Sequence, residues 1–303
     1  MTRRSPSVSL YAALIGLGLA FSPLLPAAES AMPDKPQTQS QATQSVQSAV
    51  DRKTTDQGVD KRKRIVSEAV TAIKETRHAL QALEQGKRDD ALKALEIATG
   101  KLELLIARDP KLALAPVDIA VFTQDLFAEP KTVKAVIGEV KDLLDDGRVQ
   151  AARRLMAGLA SEIRFSITSI PLGSYPEAIK AISPLIDQGK IDEAKQALQA
   201  ALGTLVISDE ILPLPLLRAD ALLVEAERLA GKEKRSEEEN RSLEEMLEAA
   251  RQQLELGEAL GYGNRDAFKP LYEQIDQIEE KSSGGKSGSG WFDRIRKQIA
   301  ELF

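Results

Sequence analysis

The strongest constraint on this chain is that it repeats itself. Residues 147–172 align with residues 189–214 at a constant offset of 42. Gly147, Ala152, Ser166, Pro171 and Leu172 match Gly189, Ala194, Ser208, Pro213 and Leu214. Arg148, Val149 and Met156 pair conservatively with Lys190, Ile191 and Leu198. Each glycine follows an acidic, apolar helix end, Leu143-Leu144-Asp145 or Leu185-Ile186-Asp187. A glycine enters the left-handed backbone region at low steric cost, so it closes one helix and frees the chain to begin another. Each copy reads as a Pro-started helix, a Gly turn, a second helix and an extended tail ending in Pro-Leu. The segments opening at Pro130 and Pro176 align at an offset of 46. The first copy's leading helix is therefore longer by about one turn. Gly86-Lys87, with Ala91 and Leu95, echoes the same junction more weakly. Neither the period nor the Gly-to-Ala spacing fits a tetratricopeptide.

The rest of the pattern is helical. Ile65, Ala69, Ile73, Thr76 and Leu80 form one stripe, and Leu92, Leu95, Ala98, Leu102 and Ile106 form the next. Pro110 and Pro116 bound a short irregular stretch. A helix runs over residues 219–229. Ser236 and Glu239 then make a capping-box pattern before a long helix to Leu260, which Gly261-Tyr262-Gly263 stops. Phe268, Leu271, Tyr272, Ile275 and Ile278 mark a last domain helix. Composition agrees. The chain is 43% hydrophobic but only 4% aromatic, and Ala and Leu dominate, which favours helix packing over a β-sandwich. The expected fold is all-α, with helical hairpins packed in one domain over residues 61–281. The β-branched tails at 163–170 and 205–212 either pair as two short β segments or run extended along a helix.

The N-terminus has the three parts of a secretory signal. Arg3 and Arg4 precede an apolar run over residues 10–21. Pro23 and Pro26 follow, then the small residues Ala27, Ala28, Ser30 and Ala31. The run is shorter than the roughly 20 residues that span a bilayer. Residues 1–30 are therefore expected to be a cleaved signal peptide, cut between residues 27 and 31, and the mature protein to be periplasmic. Residues 31–60 are rich in Gln, Ser, Thr and Asp. With so little to bury, they are expected to form a disordered lead.

Chemistry is sparse. There are no cysteines, which excludes disulfides, thiol catalysis and Cys-ligated zinc. His78 is the only histidine, and a lone histidine on a helix is expected to be structural or superficial. The basic run Lys61, Arg62, Lys63 and Arg64 reads as a solvated lead-in to a helix. A net charge of −5 argues against a nucleic-acid partner. Gly285-Lys286-Ser287 lacks the first glycine and the strand of a phosphate loop, since Glu280 stands where that glycine belongs. Glu237, Glu238 and Glu239 open a helix, where acids suit the macrodipole. No catalytic residue, metal ligand or cofactor is expected.

The Gly-Lys/Arg hairpins, the tails Ile170-Pro171-Leu172 and Leu212-Pro213-Leu214, and Leu260-Gly261-Tyr262-Gly263 followed by Lys269-Pro270-Leu271-Tyr272 together resemble the YfdX family of bacteria. The resemblance spans about residues 65–280 and implies an exported, mostly helical, often self-associating protein linked with envelope or acid stress. It carries over no catalytic residues, and residues 282–303 look like an addition to the family pattern.

That addition reads as a Gly/Ser linker over residues 282–290 and an amphipathic helix over residues 291–303. At about 100° per residue, Trp291, Phe292, Ile295, Ile299, Leu302 and Phe303 fall within about one third of the circle. Three readings follow: the helix binds a partner's groove, lies on a membrane surface, or docks on its own domain or an identical subunit. The expected function is non-enzymatic. It is protein–protein contact or self-association in the periplasm, serving envelope or acid stress protection, with a peripheral membrane scaffold tethered by this helix as the alternative.

Overall fold

The structure, a computed structural model, describes residues 39–302. The expected signal peptide, the start of the lead, and Phe303 lie outside the described residues. Two helices come first, α1 (Gln41–Ser45) and α2 (Gln47–Lys63). Three helical units, each ending in a strand, follow. The first is α3 (Ser67–Glu84), α4 (Arg88–Arg108) and β1 (Leu114–Gln124). The second is α5 (Pro130–Asp145), α6 (Val149–Met156) and β2 (Glu162–Pro171). The third is α7 (Tyr175–Lys180), α8 (Ser183–Asp187), α9 (Ile191–Gly203) and β3 (Val206–Pro213). The chain closes with α10 (Leu214–Ala230), α11 (Glu237–Ala259), α12 (Arg265–Ser282), a 3-10 turn (Ser283–Gly285) and α13 (Asp293–Ala300).

The repeated hairpins share one turn. Gly147 N–H donates to Leu144 O at 3.0 Å and Arg148 N–H to Leu143 O at 2.8 Å. Gly189 N–H donates to Ile186 O at 3.0 Å and Lys190 N–H to Leu185 O at 2.9 Å. This is the Schellman pairing, with Gly147 at φ 71° and Gly189 at φ 76°. The α3–α4 junction makes the same two bonds, from Gly86 to Leu83 and from Lys87 to Ala82. The weak echo at Gly86 is thus a third copy of the turn.

The two tails do pair as strands, and β1 joins them in an antiparallel sheet of order β1-β2-β3. Ile163 faces Thr123 and Leu212, and Phe165 faces Val121 and Glu210. The fold is mostly α-helical, as expected, but β1 replaces the irregular stretch expected around Pro116. Val117, Ile119, Val121 and Thr123 alternate there with period two. Pro116 sits on an edge strand where the register shifts before Asp118, so its missing N–H breaks no ladder.

The lead differs from expectation too. From Gln41 on it is helical, because Val46 and Val50 find buried places against the body. The expected capping box of α11 is present: Ser236 Oγ accepts from Glu239 N–H, and Glu239 Oε2 accepts from Ser236 N–H.

Two main cores form. One packs α3 and α4 against α7–α9, with Ala69, Ala72, Ala98, Leu102, Ile182 and Leu198 inside. The small alanines let these helices approach closely. The other packs α10–α13 around Leu222, Leu247, Phe268 and Ile275. A smaller core lies under one face of the sheet, with Val50, Ile119, Ile163, Phe165, Leu212 and Leu217.

Candidate contact surfaces

The C-terminal helix takes the third of its three readings and docks on its own domain. Phe292, Ile295 and Ile299 are fully buried in the α10–α12 core, and Trp291 and Leu302 pack at its margin. Their apolar stripe faces inward, because α10 and α12 present a matching apolar groove. In this arrangement Phe292, Ile295 and Ile299 cannot reach a bilayer or a partner. The Gly/Ser linker is also held against the domain. Arg235 donates to Ser282 O at 3.1 Å and Lys286 O at 2.8 Å, and also to Ala230 O at the end of α10. Gly288 N–H donates to Ala230 O at 3.1 Å. The Trp291 ring lies so close over Gly288 that a β-carbon there would collide with it.

Both ends of the described chain meet on α10. Asp220 accepts from Lys53 of α2 at 3.0 Å and from Arg296 of α13 at 3.1 Å. Arg296 also reaches Glu227 at 3.3 Å.

Deeper in, a polar network joins four elements. Arg218, 1% exposed, grips Asp125 with both Nη atoms, at 2.9 and 2.6 Å. Asp125 also accepts from Ser161 Oγ at 3.0 Å. Tyr262 Oη accepts from Ser161 N–H at 2.9 Å and donates to Glu162 at 2.8 Å. Burial, and then the Glu162 carboxylate, push the Tyr262 phenol above its ordinary pKa. A bidentate arginine–carboxylate pair is geometrically specific. The network thus ties α10 to the ends of β1 and β2 and to the Gly261–Gly263 turn. Its hydroxyl and carboxylates are engaged with one another, which suits clamping better than proton transfer. Sequence reasoning passed over Arg218, although a lone arginine inside the apolar stretch 214–223 was a visible signal.

Apolar surface is exposed elsewhere. The α5–α6 hairpin holds only a small core of Val140, Leu143 and Ala152. Its principal neighbour outside the hairpin is α11. Leu144 and Val149 are exposed beside its turn and Met156 at the far end of α6, the last two at 53% each. Asp145, Asp146, Arg148 and Arg153, their neighbours in the chain, are exposed as well. The outer sheet face exposes Phe122, Ile207 and Ile211, with the Arg164 guanidinium 5.1 Å from the Phe122 ring. His78 is exposed 3.4 Å from Glu75, on the rim of a cavity of about 750 Å³ lined also by Lys74, Arg77 and Asp118. Among the described residues no group of His, Cys, Asp and Glu could hold a metal ion, and no helix is long and apolar enough to cross a membrane.

Among known proteins, the YfdX protein family model matches residues 72–211, narrower than the span of the sequence resemblance. A solved structure of Salmonella Typhi YfdX aligns at 14% identity with a TM-score of 0.35. The alignment covers 50% of this chain and 93% of that one. No curated protein matches the chain.

Proposed function

From the match of the YfdX family model to residues 72–211 we propose a non-enzymatic periplasmic protein that acts by protein–protein contact in envelope or acid stress protection. The observation that carries the contact reading is the tip of the α5–α6 hairpin, which lies inside the matched region. Leu144 and Val149 stand exposed there and Met156 further along α6, with exposed charges of both signs among their neighbours in the chain. An apolar centre with a polar rim is the usual anatomy of a protein-binding patch. The mixed rim also suits self-association, since each copy offers the partner's opposite charges. The docked C-terminal helix moves the contact site away from Trp291 and its neighbours.

The test is site-specific photocrosslinking in cells. A photoreactive residue at Val149 is expected to give discrete protein adducts in the periplasmic fraction, and one at Ile295 none. Adducts from Ile295 alone, or no periplasmic pool, would overturn the proposal.

A further inference from the structure

The inner face of the sheet is apolar at its centre, with Glu210 beside Phe165, and its cover is mostly polar. Ile163, Phe165 and Leu212 are buried there, with Leu217 of α10 beside them. The element laid over them is α2, which supplies one buried apolar side chain, Val50. Its other valine, Val59, points outward and is 47% exposed. Over Phe165 the helix offers Gly58 and the ammonium of Lys61, 5.1 Å from the ring centroid. Glycine is among the poorest residues for a helix interior, and no side chain caps the start of α2.

Nor does α2 fill its seat. A cavity of about 570 Å³ remains between α2 and α10, lined in part by Val50, Leu217, Val224 and Met246. Besides Val46 and Val50, what holds α2 down is polar: Lys53 on Asp220, Lys61 on Glu210, and Gln47, whose Oε1 accepts from Arg218 at 3.4 Å. An apolar surface under a loosely fitting polar helix, closed by partly exposed ion pairs, belongs to the low-stability end of a fold.

We propose that α2 is a displaceable cover, and that the seat beneath it receives a basic amphipathic helix from a partner protein. The shape of the seat argues for a helix, because a helix already occupies it. Its chemistry argues for apolar residues along the inner side, where α2 has Thr54, Gln57 and Gly58. Its charges argue for two basic residues spaced like Lys53 and Lys61, to meet Asp220 and Glu210. This seat is separate from the α5–α6 tip, so the two proposals stand or fall independently.

The experiment uses the full chain and a labelled peptide of residues 47–63 with leucine replacing Thr54 and Gln57 and alanine replacing Gly58, whose β-carbon meets the Phe165 ring at 3.5 Å. Hydrogen exchange followed by mass spectrometry should find α2 amides opening at least about tenfold faster than those of α10. The peptide should bind and should protect β2 and β3 amides. Lys53→Cys with Asp220→Cys, bridged by a short bismaleimide in this otherwise cysteine-free chain, should weaken that binding at least about tenfold relative to the same variant capped singly. Equal protection of α2 and α10, or peptide binding indifferent to the bridge, would overturn the proposal. A dimer that exchanges α2 between copies, seen by light scattering, would overturn the partner it names.

Discussion

The two copies of the repeat fold alike and are buried differently. In the second, Ile179, Ile182 and Ile186 on the leading helices and Ala194 and Leu198 on α9 sit in the largest core, against α3 and α4. In the first, the corresponding hairpin keeps Val140, Leu143 and Ala152 to itself and leaves Leu144, Val149 and Met156 exposed. The turns at Gly147 and Gly189 agree to within 0.1 Å in both hydrogen bonds. Local geometry is therefore common to the copies, and the difference lies in their neighbours. A short amphipathic hairpin has one apolar side, and whether that side is structural or available depends on what packs against it.

Substitutions can test this contrast at several points. The largest effect is expected outside both hairpins, at the clamp between the second core and the sheet. Arg218→Ala leaves Asp125 without its cation, with only the Ser161 hydroxyl beside it, and should cost about 3 kcal/mol in urea-unfolding stability. A loss under about 1 kcal/mol would mean the pair is a surface-type bridge. Next, Ile182→Ala in the embedded hairpin should cost about 2–4 kcal/mol, whereas Val149→Ala in the exposed one should stay within about 0.5 kcal/mol. Equal costs would show that the first hairpin is covered in solution, and gel filtration would then be expected to find an oligomer. The turns should behave alike: Gly147→Ala and Gly189→Ala both force alanine to positive φ and should each lose about 1 kcal/mol. Unequal losses by thermal unfolding would show that burial reaches into the turn. The smallest effect is expected at the rim, where Arg153→Ala should leave stability unchanged within about 0.3 kcal/mol while weakening any crosslink from Val149.

Much of the architecture was legible residue by residue. The glycine junctions, the Ser236–Glu239 box and the stripe of α3 all rest on interactions within a few residues, which sequence spacing reports directly. The strands β2 and β3 were half legible, because β-branched content shows an extended tail but not its partner. β1 was missed, though its odd-numbered β-branched residues were readable, because Pro116 argued for a loop and only a bulged edge position accommodates it. The helical lead was missed because its composition offers little to bury. Val46 and Val50 suffice only because α10, α11 and the sheet are already in place beneath them.

The amphipathic C-terminal helix marks the same boundary. Spacing alone put Trp291, Phe292, Ile295, Ile299 and Leu302 on one face, since helical periodicity is local. That the face turns inward onto α10 and α12 is a matter of packing, because a groove assembled from segments 24 to 76 residues away in the chain has no signature in the helix that fills it. Residue order and spacing thus specified most of the elements, their turns and which side of each is apolar. Which of those sides were used up and which, at the α5–α6 tip, were left over came from the assembled fold, because burial depends on what each face meets in space.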